Sequence, residues 1–244
     1  MSPRRTFATA FRVFRQLRHD HRTLALILVV PCVLLWLLKY VFDGQERLYD
    51  QFAPLMLGIF PFTIMFVVAS VATLRERTNW TLERLMTLPL FKLDLVFGYA
   101  LAFGLLALLQ ASIASFVALQ LLGLSVAAGT IPVLITAVLA GLLGMALGLF
   151  LSAFARTEFQ AVQFLPAFVL PQLLICGLFV NRNDMAEPLR WLSDVLPLTY
   201  SVDAMKQITQ HSDWTGDLTK DLTIVGAFAV GALILGAATL RRQN

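Results

Sequence analysis

RERTNWTLERLMTLPLFKLD, Arg75 to Asp94, is a charged connector between two long apolar runs, Phe52 to Leu74 and Leu95 to Leu122. Each run reaches the roughly 20 residues an α-helix needs to cross a bilayer. Four more such runs lie outward from this pair, at Leu24 to Phe42, Ala127 to Ala155, Ala161 to Val180 and Leu222 to Leu240. The pattern predicts an all-α integral membrane protein with six transmembrane helices, the third and fourth long enough to tilt or to extend into water. Composition agrees: 58% of residues are hydrophobic, 14% are charged and the mean hydropathy is +0.76, whereas a soluble domain carries about 25% charged residues.

Charge orients the bundle. Thirteen of the 19 Lys and Arg residues fall on the side of the termini and of the quoted connector, and ten of the 15 acidic residues fall on the other side. The positive-inside rule then predicts cytoplasmic termini and a cytoplasmic connector, in a multi-pass plasma membrane protein. The net charge of +4 reflects this topology and anionic lipid, and no nucleic-acid partner is expected. About twenty polar and basic residues precede the first run without a small-residue cleavage site after it, so that run is expected to stay as helix one.

Two pieces on the cytoplasmic side are amphipathic. FATAFRVFRQLRHDHR places Phe7, Phe11, Phe14 and Leu17 at helical spacing among Arg12, Arg15 and Arg18. This reads as an interfacial helix, a unit over 1–22 ahead of the membrane domain at 23–244, serving as an anchor or as a docking element. In the connector, Trp80, Leu82, Leu85 and Met86 share one side, Asn79 suits the N-cap and Pro89 stops the helix. A solvated loop needs no such pattern.

Within the spans, Ala140, Gly144, Gly148 and Ser152 recur every fourth residue, a stripe for close helix packing within the chain or across a dimer. Gln110, Gln163 and Gln172 lie in spans three and five and should face other helices, as interhelical glue or as ligand contacts. Pro166 and Pro171 bend or break span five. Between spans five and six, Pro188 and Pro197 delimit two short amphipathic pieces at the outer mouth, one with Trp191, Leu192 and Val195, the next with Tyr200, Val202, Met205 and Ile208. Cys32 and Cys176 differ in depth by about 10 Å at 1.5 Å per residue and read as packing residues.

Catalytic patterns are missing from the sequence. There is no GxxxxGK[ST], no HExxH, no nucleophile elbow and no carboxylate pair at the centre of a span. No metal site, catalytic residue or cofactor site is expected in this chain.

RERTNWTLERLMTLP, followed by KLDLVFGYALAFGLLALLQ, resembles the first signature of the ABC type-2 exporter permeases. PQLLICGLFVNRNDMAEPLRWLSDVLPLTYSVDAMK resembles the second. The sequence departs from the pattern at Trp80, where the family usually has Gly, and at Thr78 and Asn79, where charged residues are common.

The resemblance implies that the connector is a coupling helix seated on a separate ATP-binding subunit, with Glu83, Arg84, Thr87 and Pro89 at the motif positions. It implies that the helix bearing Phe7, Phe11 and Phe14 presses on the same subunit. It further implies two ATP-binding subunits holding ATP and Mg, and a second permease chain, identical or not. The expected function is export of an amphiphilic drug-like molecule or lipid across the plasma membrane, with Gln163, Phe164, Phe168 and Gln172 as candidate lining. A carrier or channel that works without ATP, and an intramembrane lipid-processing enzyme, are the alternatives; the enzyme would need catalytic groups the sequence does not display.

Overall fold

The computed structural model describes residues 3–79 and 92–239, with the side chains of 92 and 93 left aside. Ten α-helices are numbered here among the described residues: α1 Pro3–His19, α2 His21–Val41, α3 Glu46–Thr78, α4 Lys92–Phe116, α5 Thr130–Leu151, α6 Glu158–Phe164, α7 Leu170–Ile175, α8 Glu187–Val195, α9 Pro197–Gln210 and α10 Gly216–Thr239. Among them, six helical stretches are long and apolar enough to cross a membrane, His21–Val41, Glu46–Thr78, Asp94–Leu121, Thr130–Phe154, Glu158–Ile175 and Gly216–Thr239. The chain is therefore an all-α membrane protein of six spans. The connector helix read at Trp80 to Pro89 lies outside the described residues.

The longest helix organises the bundle. α3 has 33 residues, about 50 Å at 1.5 Å per residue, so it projects beyond a hydrocarbon core of about 30 Å. It buries Leu57, Phe62, Met65, Phe66 and Ala69 and packs most extensively on α5. The two run side by side in the same direction. A Cβ on Gly144 would overlap the Phe62 carbonyl, and one on Gly148 the Phe66 carbonyl. The small-residue stripe thus serves packing within the chain, where backbone-to-backbone contact leaves no room for a side chain.

Two predicted boundaries move. Span four begins at Thr130 and not at Ala127: Gly129 has φ of +81°, which an L side chain resists, and the Ala128 amide donates to the Ile208 carbonyl at 3.0 Å. Span five ends at Ile175 and not at Val180: the Cys176 amide makes the last regular helical bond, to the Gln172 carbonyl at 2.8 Å, and Gly177, with φ of +88°, then turns the chain. Inside span five, a π-helical turn at Leu165–Val169 separates α6 from α7. Pro166 lies within it and Pro171 just beyond it; each lacks an amide hydrogen, so the regular ladder cannot run through.

The segment after span five is more than a cap. α9 buries Leu198, Val202, Met205 and Ile208 in the main core, whereas α8 leaves Trp191, Leu192 and Val195 exposed. Arg182 links the turn before α8 to both helices, pairing with Asp194 of α8 and with Asp203 of α9 at 2.5 Å. Lys206 of α9 donates to the Gly177 carbonyl at 2.6 Å, fastening α9 to the end of span five. Cys32 and Cys176 are unbonded thiols.

Gly144→Leu is expected to lower the melting temperature of the detergent-purified protein, corresponding to about 3 kcal/mol or more because the clash is with backbone. Gly231→Leu, whose Cβ meets nothing within 4 Å, should leave the melting temperature within error.

Candidate functional site at the arginine-rich end of the bundle

α3 runs on through Arg75, Glu76 and Arg77 to Thr78, so the first residues of the charged connector are still helical. Consecutive helical residues point about 100° apart, so the three address different neighbours. Arg75 reaches span five, its Nε and Nη2 donating to the two carboxylate oxygens of Glu158 at 2.8 and 2.9 Å. Glu76 accepts from Arg12 of α1 at 3.0 and 3.1 Å and from the Tyr99 hydroxyl of α4. Arg77 donates to the Ser152 carbonyl at 3.1 Å and to the Thr239 carbonyl at 3.4 Å. Those carbonyls lie at the C-terminal ends of spans four and six, where the helix dipole favours a cation. One turn of α3 therefore holds five other elements.

The links differ in strength. The side chains of Arg75 and Glu158 are 52% and 50% exposed, so water screens that pair and it contributes about 0–1 kcal/mol. Arg12 and Glu76 are 28% and 11% exposed, and both carboxylate oxygens of Glu76 are used. Charge-assisted bonds in such a site contribute about 1.5–3 kcal/mol. The triad of Arg12, Glu76 and Tyr99 is the tighter part of the junction.

Close approach of α1 makes this triad possible. α1 buries Thr6, Thr9, Ala10, Val13 and Leu17 and lies against α4, where a Cβ on Gly98 would stand 2.5 Å from the Thr9 Cβ. Only glycine lets the helices come so near, and Arg12 then reaches Glu76. α1 thus carries a second face that the spacing of its phenylalanines did not reveal. Phe7 and Phe11 are 66% and 69% exposed, pointing away from the bundle, while Phe14 is half-buried against the core beside α4.

A cavity of about 380 Å³ opens between α1, α2, α3 and α4 beside the triad. Val67, Val68, Val71 and Phe103 form its apolar walls; Gln16, Asp20, Arg75 and Glu76 form a polar rim. Asp20 caps α2, one carboxylate oxygen accepting from the Thr23 amide at 3.1 Å and the other from the Thr23 hydroxyl at 2.6 Å. The Thr23 hydroxyl and amide hold its carboxyl below the usual range; burial opposes this weakly, and Arg75 and Arg22 add to the lowering.

The remaining sequence-derived candidates separate. Glu83, Arg84, Thr87 and Pro89 lie outside the described residues. Gln163 is exposed on the periphery of span five. Phe164, Phe168 and Gln172 lie on its packed side, with Phe168 stacked on Phe66 at 6.3 Å between ring centroids. Gln172 is buried, and its amide nitrogen donates to the Phe168 carbonyl at 3.1 Å beside the π-helical turn. Gln110 is buried too, with no hydrogen-bond partner to either amide atom among the described residues. Sequence reasoning missed Arg12, Glu76 and Tyr99 as a group; the run of alternating charge at Arg75, Glu76 and Arg77 was the available signal.

Six spans, the fifth interrupted at its prolines, and a charged junction at the end of α3 define a polytopic membrane domain. The sequence matches the family described as ABC-2 type transporter over residues 4–209, and the chain belongs to that family. It is 26% identical over 166 residues to "ABC transporter G family member 20" of Dictyostelium discoideum, covering 68% of this chain and 23% of that protein. To "ABC transporter G family member 23" of the same organism it is 23% identical over 204 residues, covering 80% of this chain and 28% of that protein. To "Probable multidrug ABC transporter permease YbhR" of Escherichia coli (strain K12) it is 26% identical over 159 residues, covering 62% and 43%. These alignments thus span between about a quarter and under half of each relative's length. The chain is a transmembrane ABC transporter component.

A double-mutant cycle on Arg12→Ala and Glu76→Ala, read by thermal unfolding in detergent, should give a coupling energy of about 1–3 kcal/mol. The same cycle on Arg75→Ala and Glu158→Ala should give less than about 1 kcal/mol.

Proposed function

We propose that this chain is the permease subunit of an ATP-driven exporter, moving an amphiphilic molecule out across the plasma membrane while a separate subunit binds ATP and Mg. The observation that carries the reading is the junction at Arg75, Glu76 and Arg77. A push on a connector between α3 and α4 reaches five other elements through side chains that contact them directly. Spans two and three then move with α1 as a unit, the kind of rigid-body response that converts nucleotide-driven closure into reorientation of a pathway.

In this reading the arginine-rich end is cytoplasmic, as the positive-inside distribution favours. Glu83, Arg84, Thr87 and Pro89 meet the ATP-binding subunit, and the exposed Phe7 and Phe11, with Phe14 beside them, offer it a second contact. Two such subunits and a second permease chain complete the transporter. Gln163 meets substrate or the second chain without rearrangement, since an exposed amide in hydrocarbon needs a partner. Phe164, Phe168 and Gln172 join the lining when span five moves about its π-helical turn. The multidrug wording in the name of the Escherichia coli relative supports an amphiphilic substrate.

Co-expression with a candidate ATP-binding subunit, followed by capture in mild detergent, tests the reading. The expected result is a stable complex whose ATP hydrolysis falls at least severalfold, or loses its link to transport, in the Glu83→Ala, Arg84→Ala double variant. Transport by the purified chain alone would overturn it in favour of a carrier that works without ATP.

A further inference from the structure

The end of the bundle opposite the arginine-rich junction carries its own charges, and they join two bodies that are packed very differently. α9 is the firm one. Leu198, Val202, Met205 and Ile208 are wholly buried, and a Cβ on Gly58 of α3 would stand 3.2 Å from the Met205 Cγ. Gln207 Nε2 donates to Asp221 of α10 at 2.7 Å, and the Ile208 carbonyl takes the Ala128 amide ahead of α5. α9 is thus held from three sides. Span five is the loose one. Along α6, the π-helical turn and α7, the buried residues are Ala161, Val169 and Gln172, and the Glu158 pair at its other end is open to water. With the ladder interrupted at Leu165–Val169, α7 is a short lever beyond a joint.

Among the described residues, two polar ties cross from the end of this lever to α9. Arg182, in the turn after α7, donates through Nη1 to Asp203 Oδ2 at 2.5 Å and through Nη2 to Asp194 of α8. Lys206 Nζ donates to the Gly177 carbonyl at 2.6 Å and stands 3.9 Å from Asp203 Oδ1. Asp203, with a cation on each oxygen, is the catch. What the ties hold shut is costly to hold. Gln172 Oε1 is buried with no donor among the described residues, and an acceptor in that position regains free energy on meeting water. Cys176 lies one turn further on and is wholly buried. Burial pushes its thiol up to about 11, so it stays protonated and slow to react while covered.

We infer that Arg182, Asp203 and Lys206 form a releasable latch. While they hold, the end of span five lies closed against α9; when they part, α7 swings about the π-helical turn and exposes Gln172 and Cys176 to water. Polar ties suit this use, because water replaces each lost bond as the partners separate. As the door of an export path the latch rests on the exporter reading; as a device of the fold it does not, and it is read on the chain alone.

The test is the rate at which Cys176 reacts with a water-soluble methanethiosulfonate reagent in the purified full chain in nanodiscs, with Cys32→Ser removing the other thiol. That rate follows the population of the open form. Slow modification is expected in the otherwise unaltered chain, and Arg182→Gln should speed it about tenfold or more, the loss of two charge-assisted bonds. Lys206→Met removes the second tie, leaves Arg182 on its carboxylates and should speed modification severalfold, which decides the matter even if Arg182→Gln fails to fold. Arg190→Gln, on the same surface but in no ion pair among the described residues, should change nothing. A reporter on the firm body, Ala204→Cys combined with Cys176→Ser, should react slowly with or without Arg182→Gln, since Ala204 is buried on α9. An unaltered Cys176 rate in Arg182→Gln and Lys206→Met overturns the proposal, as does rapid modification in the otherwise unaltered chain. Equal acceleration at positions 176 and 204 means general loosening and overturns it too. If an ATP-binding subunit associates and hydrolyses ATP while the Cys176 rate ignores Arg182, the latch falls and the exporter reading stands. If Arg182→Gln releases Cys176 and no such subunit associates, the latch stands and the exporter reading falls.

Discussion

The grip of Glu76 on Arg12 and Tyr99 is the constraint on which the arginine-rich end of the bundle depends. A carboxylate near the membrane boundary is costly unless its lone pairs are filled, and here one side chain from α1 and one from α4 fill them. The charge on α3 thereby fixes where α1 lies. Arg75 and Arg77 on either side extend the same turn to Glu158 and to the carbonyls ending spans four and six.

 The Glu158 link is the looser of these, being open to water. The end of α3 is thus the place where the bundle is closed, and it forms the first turn of the charged connector.

α1 shows how packing added a face to an amphipathic pattern. By spacing, Phe7, Phe11 and Phe14 form the obvious apolar stripe, yet the surface that meets α4 is Thr6, Thr9, Ala10 and Val13. Close approach over Gly98 favours small side chains, because the gain from dispersion depends on contact distance, and a phenylalanine would hold the helices apart. The aromatic stripe is left free for lipid or for another protein. One helix thus carries two working faces, one of small residues and one of aromatics.

Span five departs furthest from a simple rod. Its two prolines leave a π-helical turn, and the Gln172 amide donates to the Phe168 carbonyl next to that turn, supplying a bond where the regular ladder is disturbed. Beyond it, the chain turns at Gly177 and is held to α9 through Lys206. A span that is interrupted inside and fastened at its far end can bend without coming loose.

Much of this was legible in the sequence. Length and hydropathy determined the six spans, since crossing hydrocarbon demands a helix whose backbone is satisfied internally. The four-residue recurrence from Ala140 to Ser152 marked a packing face, and Pro166 and Pro171 marked the break in span five. Tertiary structure alone decided which neighbour each face met: that the glycines of α5 take the backbone of α3, that α1 turns its small side inward, and that Arg12, Glu76 and Tyr99 meet. Hydropathy is a property of one segment against lipid and can be read along the chain, whereas an ion pair joining residues 64 positions apart exists only once three helices have packed.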